Sequence, residues 1–131
     1  MHKPFLQLAA LLGALSVTMG AFGAHALKKI VPEEAVNVFD TGVRYQFYHV
    51  FALAAVALLF REFDNKWMLW AGYLFIAGII LFSGSLYFLT YVKATDKTSL
   101  NWVGAITPLG GLAFITGWLC MFVALYKNQA A

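Results

Sequence analysis

Gly20-Ala21-Phe22-Gly23-Ala24-His25-Ala26-Leu27 closes a run that starts at Pro4 and contains no charged residue. As a helix, such a run can cross a hydrocarbon core of about 30 Å, which takes ~20 residues. Outward from it the pattern repeats. Charges cluster at 28–44, 61–66 and 93–97, with Lys3 and Lys127 near the ends, and apolar runs fill the intervals. The chain of 131 residues is 62% hydrophobic and only 11% charged, against roughly a quarter charged in an ordinary soluble domain. That composition belongs to a membrane protein and leaves nothing for a separate soluble domain. Lys3 and Ala24-His25-Ala26 superficially fit a secretion signal, but the run exceeds a signal core and three more spans follow. We read it as a retained helix.

The sequence therefore predicts an all-α integral membrane protein. Four transmembrane helices form an antiparallel bundle in a single domain over residues 1–131, with spans at about 4–27, 45–60, 67–92 and 102–126. Between spans one and two, Pro32 followed by Glu33 and Glu34 reads as a helix start, with the acids near the positive end of the dipole. Val36, Phe39 and Val43 then recur on one side, which predicts a short amphipathic helix over 31–43 lying on the membrane surface. Asp40 and Arg44 are four apart and suited to pair. Gly42 permits a bend before span two, and Arg44 and Arg61 sit at the ends of that span.

Span one shows two faces. Gln7, Leu11, Ala14, Thr18, Ala21 and His25 share one; Ala9, Gly13, Ser16, Gly20 and Gly23 share the other. Small residues let helix backbones approach closely in lipid, so span one is expected to have neighbours on both sides, either as the central helix of the bundle or with one face joined to another subunit. The helix-packing residues are Gly13, Gly20 and Gly23 here and Gly110 and Gly117 in span four, and they make the chain a candidate homo-oligomer. Pro108 cannot donate to the Gly104 carbonyl, which predicts a kink in span four.

The net charge of +3 is spread over short loops, so membrane lipids, not nucleic acid, are the expected partner. Cys120 stands alone, so it forms no internal disulfide and reads as a small core residue. Lys3, Arg61, Lys66 and Lys127 lie on one side of the membrane, and Lys28, Lys29, Arg44, Lys93 and Lys97 on the other. That near balance does not select an orientation.

Two constellations carry chemistry. The first is His25 with His49, Tyr45, Tyr48 and Arg44. If span one ends at His25 and span two starts near His49, the two histidines meet at one membrane face with Arg44 above them. Ionisable groups at membrane depth are functional candidates. The alternative is anchoring, with His25 near the negative end of a helix dipole and His49 bonded to a tyrosine or carbonyl. Two histidines without a carboxylate or thiolate make no complete zinc site. The second constellation is Ser83, Ser85 and Thr107. These hydroxyls either bond within their own helices or line a polar path beside Pro108. No nucleophile with an adjacent base, phosphate loop or carboxylate pair is present, so the sequence assigns no catalytic residue, metal or cofactor.

Gly20-Ala21-Phe22-Gly23-Ala24-His25, Thr41-Gly42-Val43-Arg44-Tyr45-Gln46-Phe47-Tyr48-His49, Phe82-Ser83-Gly84-Ser85-Leu86-Tyr87, Thr107-Pro108-Leu109-Gly110-Gly111 and Gly117-Trp118 follow in order over nearly the whole chain. This set resembles the domain-of-unknown-function family four-two-three, small uncharacterised bacterial inner-membrane proteins with relatives in animals. The resemblance implies a four-helix, multi-pass protein of the bacterial cytoplasmic membrane and brings no activity or substrate. The reading that follows is a non-enzymatic membrane protein that binds a lipid, a small hydrophobic ligand or a protein partner at the His25/His49 end. The alternatives are a channel or transporter subunit, and a haem- or quinone-binding redox protein using both histidines.

Overall fold

The computed structural model describes residues 1–129, and among them every regular element is helical. Helix α1 spans Lys3–His25. The His2 ring caps it, Nδ1 accepting from the Phe5 N–H at 3.2 Å. A short 3-10 turn, Leu27–Lys29, leads to α2, Glu33–Leu59, with Glu33 and Glu34 in its first turn. Asn65 opens α3, Lys66–Gly78, its Oδ1 accepting from the Trp67 and Met68 N–H groups at 3.0 and 3.1 Å. The Asn65 Nδ2 donates to the Ala124 carbonyl at 3.1 Å, tying the start of span three to the end of span four. A π turn, Ile79–Ser83, joins α3 to α4, Gly84–Thr95, which ends at Asp96 in the left-handed region (φ 55°). Eight residues of 3-10 helix, Thr98–Ala105, precede α5, Thr107–Gln129. Four stretches, Lys3–Lys29, Glu33–Leu59, Lys66–Thr95 and Ser99–Lys127, are long and apolar enough to span a membrane.

The sequence reading put a surface helix at 31–43 and began span two at Tyr45. These are one helix of 27 residues. In lipid, a helix that continues satisfies its backbone internally, whereas a break exposes N–H and C=O groups. Gly42 does not bend it. A Cβ there would lie 2.9 Å from Tyr87 Cε1 and 3.3 Å from Leu86 Cβ, so the glycine serves close packing of α2 on α4.

Pro108 does not interrupt an α-helix either. Pro108 is the second residue of α5, in the first turn, where the missing N–H has no helical partner to lose. Span three is irregular at mid-length. At its π turn the Phe82 backbone fills the space where Gly110 would carry a Cβ, and the Phe114 ring fills that space at Gly78. The Phe75 ring lies 2.8 Å from the Cβ position of Gly117. The small ridge of span four is therefore spent inside one protomer, in the seam between α3, the π turn and α5.

Span one is peripheral, not central. Only 17% of its most apolar window is buried, against 50% for α2. Its Ala9, Ser16 and Gly23 face α2, with Gly20 and Gly13 in contact with Val43 and Val50. The face carrying Gln7, Leu11, Ala14, Thr18, Ala21 and His25 is open. Helix α2 is the centre, packing against α1 on one side and α3 and α4 on the others.

The core has two apolar parts. One, near the termini, gathers Phe5, Leu53, Val56, Met68, Phe75 and Phe114. The other, near the α1–α2 turn, gathers Leu27, Val31, Ala35, Phe39 and Val43. Buried Ser16, Gln46, His49 and Ser83 lie between them.

Gly110 and Gly84 give a matched test. Gly110→Ala forces a methyl into the Phe82 backbone and is expected to cost about 1–3 kcal/mol. Nothing lies within 4 Å of a Cβ at Gly84, so Gly84→Ala should be neutral or gain up to about 1 kcal/mol from helix propensity. Thermal unfolding in detergent reads both.

Candidate functional site

The polar groups between the two apolar clusters bond one another across three spans. Gln46 is 1% exposed. Its Oε1 accepts from the Tyr87 hydroxyl at 2.6 Å, and its Nε2 donates to the Leu12 carbonyl at 3.2 Å. Ser16 donates to the same carbonyl at 2.8 Å. Ser83 donates to the Gly42 carbonyl at 2.7 Å. One side chain on α2 thus links α1 to α4. The sequence reading passed over Gln46; its signal was a lone amide inside an apolar span, which must find partners when buried.

His49 lies in the same layer. Its Nδ1 sits 2.7 Å from the Tyr45 carbonyl, which only accepts, so the proton is on Nδ1. Its Nε2 accepts from Trp118 Nε1–H at 3.1 Å. The ring stacks on Phe114, centroids 3.5 Å apart and planes 9° apart. Both ring nitrogens are occupied, and Trp118, the second residue missed, supplies one of the bonds.

His25 is elsewhere. Gly20 of α1 meets Val43 of α2. His25 lies five residues from one member of that contact and His49 six from the other, in opposite directions, so at 1.5 Å per residue they are about 16 Å apart along the bundle. His25 is exposed and His49 is 4% exposed. The expected shared face fails because α2 starts twelve residues before Tyr45, which carries His49 deep into the bundle. No single metal or haem iron is held by both, and no group of three or more His, Cys, Asp or Glu that could hold a metal forms among the described residues.

Tyr45, Tyr48 and Arg44 are on the outside of α2. The rings of Tyr45 and Tyr48 meet edge to face at 5.6 Å, and Tyr45 packs on Phe82. Arg44 does pair with Asp40, at 2.7 Å, but stands well inside the span and not above the histidines. Ser85 and Thr107 come together at 2.6 Å, Ser85 also reaching the Phe82 carbonyl at 2.9 Å. Ser83 turns the other way, toward α2. The three hydroxyls do not share one face, and each is bonded to protein.

Open space lies at the His25 end. A groove of about 230 Å³ runs between the α1–α2 turn and α4, with Phe22, Leu27, Val31, Tyr87, Thr90 and Tyr91 among its walls. Its surface is almost wholly apolar. Lys97 rests on one of its wall residues, donating to the Tyr91 hydroxyl at 3.2 Å and lying 5.3 Å from that ring's centre. A polar hollow of about 220 Å³ lies between the start of α2 and the end of α4, where Lys93 and Glu34 pair at 2.9 Å.

Four apolar spans around a hydrogen-bonded mid-depth layer define a small all-α integral membrane protein. The chain belongs to the family described as "Protein of unknown function (DUF423)", whose model matches residues 19–111. It is 44% identical over 126 residues to "UPF0382 membrane protein YwdK" of Bacillus subtilis, covering 95% of this chain and 98% of the relative. It is 38% identical to a UPF0382 membrane protein of Haemophilus influenzae, over 99% of both chains. It is also 35% identical to "UPF0382 inner membrane protein YgdD" of Escherichia coli, over 93% of this chain and 88% of that one. No solved structure matches the chain.

Four substitutions separate the mid-depth layer from the exposed histidine. Tyr87→Phe removes the donor to Gln46 and should cost about 0.6–1.7 kcal/mol, the range of hydrogen bonds between membrane helices. His49→Ala should lower the unfolding midpoint while His25→Ala leaves it unchanged. A double-mutant cycle of Tyr87→Phe with Gln46→Leu, followed by thermal unfolding, should show non-additivity.

Proposed function

We propose that this protein is a non-enzymatic, multi-pass protein of the bacterial cytoplasmic membrane that holds the chain of an anionic amphiphile, a fatty acid or acidic lipid, in the groove at the His25 end. The groove carries the reading. Its walls follow α4 from Tyr87 to Ala94, seven residues or about 10 Å of helix, a length that takes part of an acyl chain. The wall residues offer a chain contact and almost no hydrogen bonds. Lys97 stands on Tyr91 toward the outer end, where the headgroup of such a molecule lies, and Lys28 and Lys29 are in the 3-10 turn after α1. The chemistry of the site is that of burial and charge attraction.

The supporting experiment uses the full chain in phosphatidylcholine vesicles with a diazirine-bearing fatty acid. On irradiation, label should concentrate in residues 22–31 and 87–94. Ala94→Trp fills the groove and should reduce that label, and Lys97→Ala should weaken it for the fatty acid but not for the matching uncharged alcohol. Label spread evenly over the outward positions Phe51 and Ile115 would defeat the reading.

A further inference from the structure

The Asp40–Arg44 pair is out of place for a chain surrounded by lipid. Gly20 meets Val43 and Gly23 meets Phe39, so Arg44 is level with the turn of α1 that carries Gly20, eight residues from Lys28. At 1.5 Å per residue its backbone lies about 12 Å inward of Lys28. The other side agrees, because Gly42 packs on Leu86 and Glu34 pairs with Lys93. The midpoint between Lys3 and Lys28 falls about 19 Å from either on the same rise. Arg44 is thus inside a hydrocarbon core whose half-thickness is about 15 Å. Yet the Asp40 and Arg44 side chains are 59% and 57% exposed, on the outside of the bundle.

Charges at this depth face a bundle interior or a watery cavity, not acyl chains. Asn37, Asp40, Thr41, Arg44 and Tyr48 fall on one side of α2 at helical spacing, a polar stripe from the membrane surface to mid-depth that this chain leaves uncovered. Beside it, between α1 and α2, is a dent of about 140 Å³ bordered by Gly20, Ala24, Asn37 and Asp40.

We propose that this stripe is the contact surface for a second copy of the chain, parallel and related by a two-fold axis along the membrane normal. The charges argue for that occupant. A two-fold contact along the normal sets each residue level with its own copy, and because the Arg44 side chain extends one turn to the depth of Asp40, it meets the partner's Asp40 at that same depth. Each Arg44 then reaches both its own Asp40 and its partner's, and four charges of zero net sum close on themselves. An acyl chain offers neither group. A lipid phosphate sits farther out, where Asp40 repels it. The dent takes a side chain from the facing helix. This goes beyond the groove, which lies on the opposite side of the Gly23–Phe39 contact.

The test is cysteine cross-linking of the full chain in liposomes, in a Cys120→Ala background. Asn37→Cys and Tyr48→Cys should form disulfide-linked dimers on oxidation, while Leu11→Cys and Ile115→Cys, outward on α1 and α5, should not. Arg44→Asp added to Asn37→Cys should abolish the dimer by setting four acids together, and Asp40→Arg with Arg44→Asp should restore it. That recovery shows that the variants fold. Dimers formed as readily from Leu11 or Ile115, no dimer from either stripe position, or stripe cysteines linked in native membranes to a different protein would each overturn the proposal. Fatty-acid labelling of the groove is a separate readout, unaffected by either outcome.

Discussion

The continuity of α2 from Glu33 to Leu59 is the constraint from which the rest follows. In lipid, an interruption leaves backbone N–H and C=O groups without partners, at several kcal/mol each. Holding the helix unbroken moves every residue after Pro32 deeper than a surface connector allows. His49 goes to mid-depth, Arg44 goes below the surface, and His25 is left behind at the turn. The same helix is long enough to serve α1 with one side, α4 with another and α3 with a third. The peripheral place of α1 is the counterpart of the central place of α2.

The mid-depth layer explains how helices with no hydrophobic drive between them keep their register. Sliding α1 along α2 by one turn costs little in apolar contact, because lipid offers the same contact. It would separate Gln46 from the Leu12 carbonyl, and a buried amide without partners is costly. Gln46 and Tyr87 therefore specify alignment more than they add strength. In the seam between α3 and α5 the alignment is set by shape, with rings of Phe75 and Phe114 entering the spaces left by Gly117 and Gly78.

Much of this fold was legible. Charge-free runs showed the number of spans, and the Asp40–Arg44 spacing showed their pairing. The family was visible in its ordered motifs, from Gly20-Ala21-Phe22-Gly23 to Gly117-Trp118. The errors in span two share one cause with the reading of Pro108. Gly42 and Pro108 were read by their local propensities, as a bend and a kink, whereas the bundle uses one for close approach and places the other in a first turn. The start of span two moved from Tyr45 to Glu33, and with it the depth of the candidate site. Gln46 and Trp118 were hidden because their importance depends on what lies opposite: a carbonyl of α1, a hydroxyl of α4 and a ring nitrogen of α2. The π turn had no sequence mark beyond the neighbouring glycines.

That turn has a mechanical consequence. A π turn holds an extra residue relative to the α-helix around it, and one residue is about 100° of rotation. Span three is in effect two keys cut at different angles on one shaft. Its first half is oriented for α5, through Phe75 and Gly78; its second is oriented for α2, through Ser83 and Tyr87. Removing one residue from Ile79–Ser83 would give a more regular helix in which the two halves can no longer engage both partners. Tyr87 would swing away from Gln46, and the half of span three after the turn would lose its seat on α2.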